Sequence, residues 1–97
     1  MPLESTSLVA RAKNLASQAI DDDLVILNLE RDNYIGLDSI GRRIWELIES
    51  PRRIDDLCRQ LVSEYEGPPE QIAADALHFL EELEREKMLD VVDGRSE

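Results

Sequence analysis

The residue pattern predicts an α+β chain, a small antiparallel sheet at the N-terminal end followed by three helices in the arrangement of a winged helix-turn-helix. Three observations carry this. The branched run Leu-Val-Ile-Leu-Asn-Leu (24–29) is followed by a polar turn and by Tyr34-Ile35-Gly36-Leu37, the pattern of a hairpin. From residue 40 onward apolar residues recur at three- and four-residue spacing, the period of a helix with one buried face. Proline at 51 and at 68–69 then divides the helical remainder into three. A chain of 97 residues has material for one hydrophobic core, so 1–97 is expected to be a single domain with its core at about 24–92.

Each element has a local reason. Ser-Leu-Val-Ala-Arg-Ala-Lys (7–13) reads as a short strand before a polar stretch that ends in Asp21-Asp22-Asp23. Residues 24–29 form a strand, Glu30-Arg31-Asp32-Asn33 the turn, and Tyr34 to Leu37 the return. Asp38 suits the N-cap of a first helix over 39–49, whose Ile40, Ile44, Leu47 and Ile48 share a face before Ser50-Pro51 stops it. A second helix near 54–66 carries Ile54, Leu57, Cys58, Leu61 and Val62 at the same spacing, with Asp55 and Asp56 in its favourable first turn. Gly67-Pro68-Pro69 ends it and opens a third helix from about Pro69 to Lys87, since proline at a first helical position loses only a donor that had no partner. Met88 to Val92 reads as a packed strand or extended segment, and residues 93–97 are expected to fray.

Composition narrows the function. There are 22 acids against 11 bases, a net charge of −11 spread through the chain, and such a field repels polyanions. Nucleic acid is therefore disfavoured as a partner, and a basic or amphipathic one is favoured. The longest apolar run, Leu24 to Leu27, is far shorter than a membrane span, and Met-Pro-Leu-Glu-Ser lacks the regions of a signal peptide, which predicts a cytoplasmic protein with no membrane partner. Cys58 is the one cysteine and His78 the one histidine. Cys58 falls on the apolar stripe of its helix and His78 on the polar side of the third, so neither a nucleophile–base pair nor a zinc site is indicated. The aspartate triplet lacks the alternate spacing of a calcium loop, and all four glycines are isolated, so no phosphate-cradling loop occurs. No enzyme, metal or cofactor is expected.

At about 100° per residue, Ile72, Ala73, Ala76, Leu77, Phe79, Leu80 and Leu83 form a wide apolar arc on the third helix. Asp75, Glu82 and Glu86 run along one edge of that arc, with Phe79 at the border. Such a stripe is either a solvated face beside the core or the wall of a groove for a peptide with apolar anchors and positive charge. The competing reading of the fold is a DNA-binding transcriptional regulator. Six acids on the third helix (Glu70, Asp75, Glu81, Glu82, Glu84, Glu86) weaken it, whereas Arg42, Arg43, Arg52, Arg53 and Arg59 could form a basic patch unless they pair with neighbouring acids.

The order hairpin, Tyr-Ile-Gly-Leu-Asp, Gly-Arg-Arg-Ile-Trp-Glu-Leu-Ile, proline turn, Ile-Asp-Asp-Leu-Cys-Arg-Gln-Leu-Val-Ser-Glu-Tyr and a last helix with His-Phe-Leu-Glu-Glu-Leu resembles the PqqD-like family of peptide-recognition proteins. These are small winged-helix modules, also called RiPP recognition elements, that bind leader peptides of ribosomally made, post-translationally modified natural products. The resemblance spans about residues 24–92, and Ile44-Trp45 looks most like the stand-alone leader-binding proteins of lasso-peptide biosynthesis. Arg52-Arg53 stands where a threonine would be expected ahead of the second helix, a departure that touches its cap.

The resemblance implies that a leader peptide adds as an extra strand to the sheet edge at Asn33, Tyr34, Ile35, Gly36 and Leu37. Alternate leader side chains would enter an apolar trough lined by Ile72, Ala76 and Phe79, with Asp75 and Glu82, and Glu86 as a further candidate, pairing with a leader Lys or Arg at its rim. Gly36 presents no side chain to a neighbouring backbone. Strand alternation makes Ile35 and Leu37 the core candidates and leaves Tyr34 as either a surface aromatic or a support for the peptide. Trp45 is either a core-edge side chain or a docking surface for an enzyme. The implied partners are the precursor peptide, a leader-cleaving cysteine protease and an ATP-dependent, asparagine-synthetase-like cyclase.

Overall fold

The computed structural model describes residue 3, residues 6–21 and residues 23–92. The expected fraying of 93–97 and the middle of the aspartate triplet lie outside the described residues. Strands β1 (Leu8–Arg11), β2 (Leu15–Ile20), β3 (Asp23–Asn28) and β4 (Asn33–Leu37) lead into helix α1 (Ser39–Leu47). A two-residue strand β5 (Arg52–Arg53), helices α2 (Ile54–Glu64) and α3 (Pro69–Arg85), and strand β6 (Leu89–Val92) follow.

The α+β class and the three helices stand as expected, but the small sheet is two sheets. One has the order β2-β3-β4, the other β5-β1-β6, and every pairing is antiparallel. Strand β2 falls in the stretch read as polar. Ser17 to Ile20 are all exposed, so beyond Leu15, which packs against the core, this strand has no alternating buried face and rests on the β3 ladder. The arginines of β5, read as part of a turn, pair with Leu8 and Val9 and so tie the start of the chain to the entry of α2.

The helices form where capping and periodicity place them. Asp38 accepts a hydrogen bond from the Gly41 N–H at 2.8 Å, satisfying one free donor at the start of α1. Arg53 precedes α2 without capping it and instead binds Asp55 at 2.6 Å, which is the consequence of having arginine there. Helix α3 ends in a Schellman-type reversal: Met88 N–H donates to Leu83 O (2.8 Å) and Lys87 N–H to Glu84 O (3.1 Å), with Lys87 at φ 63°. That left-handed residue turns the chain from α3 into β6.

One core joins all the layers. Val9, Ile26, Ile44, Ile48, Leu57, Leu61, Leu80, Leu83 and Met88 are fully buried within it. Trp45 is 4% exposed, which places it in the core. Its carbonyl accepts two hydrogen bonds from Arg11, at 2.9 Å from Nε and 2.7 Å from Nη2, and the guanidinium stacks 4.7 Å from the indole centroid. The Arg11 N–H donates to Ile48 O at 3.2 Å, so β1 closes the carbonyl end of α1.

Candidate functional site

The sheet β2-β3-β4 has two free edges, and they differ in what stands beside them. Along β4, Asn33, Ile35 and Leu37 face the core side, and Leu37 is buried while Ile35 is half-buried. Tyr34 and Gly36 point to the other face, with Tyr34 72% exposed. Helix α3 lies on the core side of β4, and contacts at both ends fix its position. At one end Asn33 Nδ2 donates to Glu86 Oε1 at 2.6 Å. At the other, the Phe79 ring sits so close to Gly41 that a Cβ there would meet it at 3.3 Å, beside Asp38 immediately after β4.

The C-terminal half of α3 therefore runs beside β4 in the opposite sense, and Phe79, Glu82, Leu83 and Glu86 share the face at helical spacing. Leu83 is fully buried, whereas Phe79, Glu82 and Glu86 are half-buried, so this face has an apolar floor and a negative rim. By contrast, of the β2 residues that share the core-side face of the sheet, Leu15 is half-buried against the core while Ser17 and Ala19 are exposed.

Two predicted trough residues are buried. Ala76 is fully buried and Ile72 is 8% exposed, so both belong to the core cluster and present almost no surface. Asp75 is exposed and accepts a hydrogen bond from Gln71 at 2.9 Å. A Cβ added to Gly36 would meet nothing within 4 Å, so packing does not require glycine there.

Sequence reasoning missed Asn28. It is 5% exposed, and it joins the β3–β4 turn to the end of α3. Its Oδ1 accepts from the Glu30 N–H (3.0 Å) and the Arg31 N–H (3.1 Å), while its Nδ2 donates to Lys87 O (3.2 Å) and, at longer range, to Glu86 O (3.4 Å). An asparagine closing a strand before a turn is the only local signal, because its helix partners are far away in sequence.

The arginines weighed as a basic patch are engaged with the chain itself. Arg43 binds Glu64 at 2.7 Å and Glu46 at 3.1 Å, and Arg59 binds Asp56 at 3.0 Å. Arg53 holds Asp55, and Arg52 donates to Leu47 O at 3.1 Å. Hydrogen bonds from Arg43 and then Gln60 hold the Glu64 carboxyl down at about 2, and Arg53 likewise lowers Asp55. An open cleft of about 490 Å³, lined by Asp23, Asp38, Ser39, Arg42, Arg43, Glu46 and Tyr65, contains the Arg43–Glu46 pair and includes no residue of α3. Burial, and secondarily Asp55, pushes the half-buried Cys58 thiol up, the reverse of an activated nucleophile. His78 is exposed. Among the described residues no cluster of three or more His, Cys, Asp or Glu could hold a metal ion, and no helix is long and apolar enough to cross a membrane.

The architecture and the sequence both have known relatives. Among curated proteins, the "PqqA binding protein" of Rhizobium meliloti (strain 1021) is 27% identical over 84 residues, which cover 87% of this chain and 84% of that protein. Among solved structures, TbiB1 in complex with the TbiA(beta) leader peptide is 30% identical with a TM-score of 0.73, covering 91% of this chain and 99% of that one. Lasso peptide synthetase B1 complexed with a leader peptide is 18% identical with a TM-score of 0.74, over 84% of this chain and 96% of its own. The PqqD truncation of Methylobacterium extorquens PqqCD, described as a functional and stand-alone RiPP recognition element, shares the fold at 18% identity and a TM-score of 0.74, over 91% of this chain and 94% of its own. The family described as "Coenzyme PQQ synthesis protein D (PqqD)" matches residues 23–89, from the first residue of β3 to the first of β6. With that match spanning well over half its length, this chain belongs to the PqqD family.

Proposed function

We propose that this protein is a non-catalytic recognition module of the cytoplasm that binds the leader segment of a ribosomally synthesised precursor peptide by strand addition to β4. The observation that carries the reading is the free edge of β4 beside the C-terminal half of α3. An incoming strand would form main-chain hydrogen bonds with Asn33 to Leu37, which gives affinity tolerant of sequence. Its alternate side chains would fall on the α3 side, against Ile35 and Phe79 and beneath the carboxylates of Glu82 and Asp75, with Ile72 and Ala76 backing this wall from the core. The remaining side chains would emerge beside Tyr34 and Gly36 on the outer face. The solved relatives that hold leader peptides support this choice of ligand.

The likeness to lasso peptide synthetase B1 favours a lasso-type pathway, with a leader-cleaving cysteine protease and an ATP-dependent, asparagine-synthetase-like cyclase as partners. Holding the leader raises the effective concentration of the rest of the precursor at those enzymes, which then need little affinity for a variable core sequence. Fluorescence polarisation tests the reading. The labelled leader of the precursor encoded beside this protein should bind saturably, and a scrambled leader and duplex DNA at equal salt should not. Binding to DNA alone would overturn the function while leaving the fold intact.

A further inference from the structure

The second free edge of the β2-β3-β4 sheet carries none of the devices that keep an exposed strand from pairing with another chain. Asn14 to Ile20 is the longest stretch of the chain without a charged residue, and it holds no proline. The ladder to β3 runs unbroken from Leu15 opposite Asn28 to Ile20 opposite Asp23, so no bulge twists the edge away. Asn14 O accepts from the Leu29 N–H at 3.1 Å, which sets the phase of this ladder. The main-chain groups of Ala16, Gln18 and Ile20 then face β3, and those of Leu15, Ser17 and Ala19 point outward, unpaired within the sheet.

We infer that β2 pairs with β2 of a second copy of this chain, antiparallel about a two-fold axis at Ser17. Outward residues must oppose outward residues, which puts the axis at a residue and not between two. With the axis at Ser17, the two serines face each other and Leu15 lies opposite Ala19 of the second copy. Lys13 of each copy, exposed, then comes level with the exposed Asp21 of the other. Moving the axis to Gln18 would set Asp21 against the half-buried Leu15, and moving it to Ala16 would set Lys13 against Ala19. Charge also selects the occupant. Two chains of net charge −11 repel, so their contact has to be neutral, and an uncharged strand with a cation at one end and an anion at the other is matched by its own antiparallel copy. A leader gains less here, because Ser17 and Ala19 are exposed and give its side chains no buried floor. The paired sheet has the order β4-β3-β2-β2-β3-β4 and leaves both β4 edges free, so the inference stands apart from the leader-binding reading. With about six main-chain hydrogen bonds and little apolar area, the dimer is weak and dependent on concentration.

Sedimentation equilibrium of the full chain from about 10 μM to about 1 mM at fixed salt tests this. The mass should rise from 11.1 kDa toward twice that value. Ser17→Pro removes the central outward donor of both copies without touching the β3 ladder, and should weaken association about tenfold or more. Ser17→Lys sets like charges directly opposite each other and should also weaken it, so the outcome does not depend on proline being accommodated. Both variants should keep their helix content by circular dichroism and their affinity for the leader. Residue-resolved hydrogen exchange should show the amides of Leu15, Ser17 and Ala19 better protected at the highest concentration than at the lowest. A chain that stays monomeric at about 1 mM, a dimer that survives Ser17→Lys, or a dimer whose β2 amides exchange as in the monomer would each overturn the inference. None of these results bears on leader binding at β4.

Discussion

Replacing Asn28 by alanine tests how the groove is held open to the right width. The side chain makes four hydrogen bonds, three of them at 3.0 to 3.2 Å and one at 3.4 Å. At about 0.5–1.5 kcal/mol net per bond, the three shorter ones are worth roughly 1.5–4.5 kcal/mol. Glu30 and Arg31 are exposed, so water can replace the partner of their N–H groups, which favours the lower half of that range. Asn28→Ala should therefore cost about 2–3 kcal/mol, equivalent to a fall in Tm on the order of 10–20 °C for a domain of this size. Asn28→Asp should cost at least as much, because it keeps the acceptor but turns a carboxylate toward the carbonyls of Glu86 and Lys87. Urea unfolding followed by the fluorescence of Trp45, the sole tryptophan and a core residue, measures this directly. Leader affinity should fall in parallel, since Asn28 ties the turn before β4 to the end of α3. A loss of stability below about 0.5 kcal/mol in Asn28→Ala would refute the claim that these bonds fasten the sheet to the helix.

Three further outcomes follow from the same structure. Phe79→Ala should weaken leader binding by about tenfold or more, as removal of a groove aromatic does, with far-UV circular dichroism nearly unchanged; unaltered affinity in a folded variant would take Phe79 out of the site. The Glu64 carboxyl lies at about 2 in the folded chain against an ordinary 4.5, so the stability due to its pairing with Arg43 is fully present above pH 4.5 and is lost as pH falls through about 2. Glu64→Gln should accordingly flatten the acid limb of the stability profile in that window, and identical profiles would contradict the pairing. The raised Cys58 thiol should react with iodoacetamide at neutral pH more slowly in the native chain than in urea, whereas equal rates would show that its burial has no chemical effect.

What could be read from the sequence divides by the range of the interaction. The helices were legible because Ile44, Ile48, Leu57, Leu61, Leu80 and Leu83 repeat at helical spacing and because Asp38, Pro51 and Pro69 mark boundaries that act locally. The hairpin of β3 and β4 was legible for the same reason. Strand β2 was not, since an exposed strand of Ala, Ser and Gln carries no periodic signal. The sheet joining β1, β5 and β6 was hidden because it pairs Leu8 with both Arg53 and Val92, residues far apart in the chain. The candidate groove was legible only as local pattern: β4 could be read as a strand and the apolar and acidic stripes of α3 from their spacing, but the depth of Ile72 and Ala76 depends on where α3 meets the sheet. The contacts that set that meeting, Asn28 with Glu86 and Lys87 and Asn33 with Glu86, are side-chain bonds across more than fifty residues.

The central claim is that a leader peptide adds to the edge of β4. Amide hydrogen exchange, resolved by residue with and without saturating leader, tests it most directly. Alternate N–H groups from Asn33 to Leu37, those that point away from β3, should gain strong protection, and the free edge of β2 from Leu15 to Ile20 should not change. Protection confined to β2, or leader binding that leaves the β4 amides exchanging as before, would contradict strand addition at this groove.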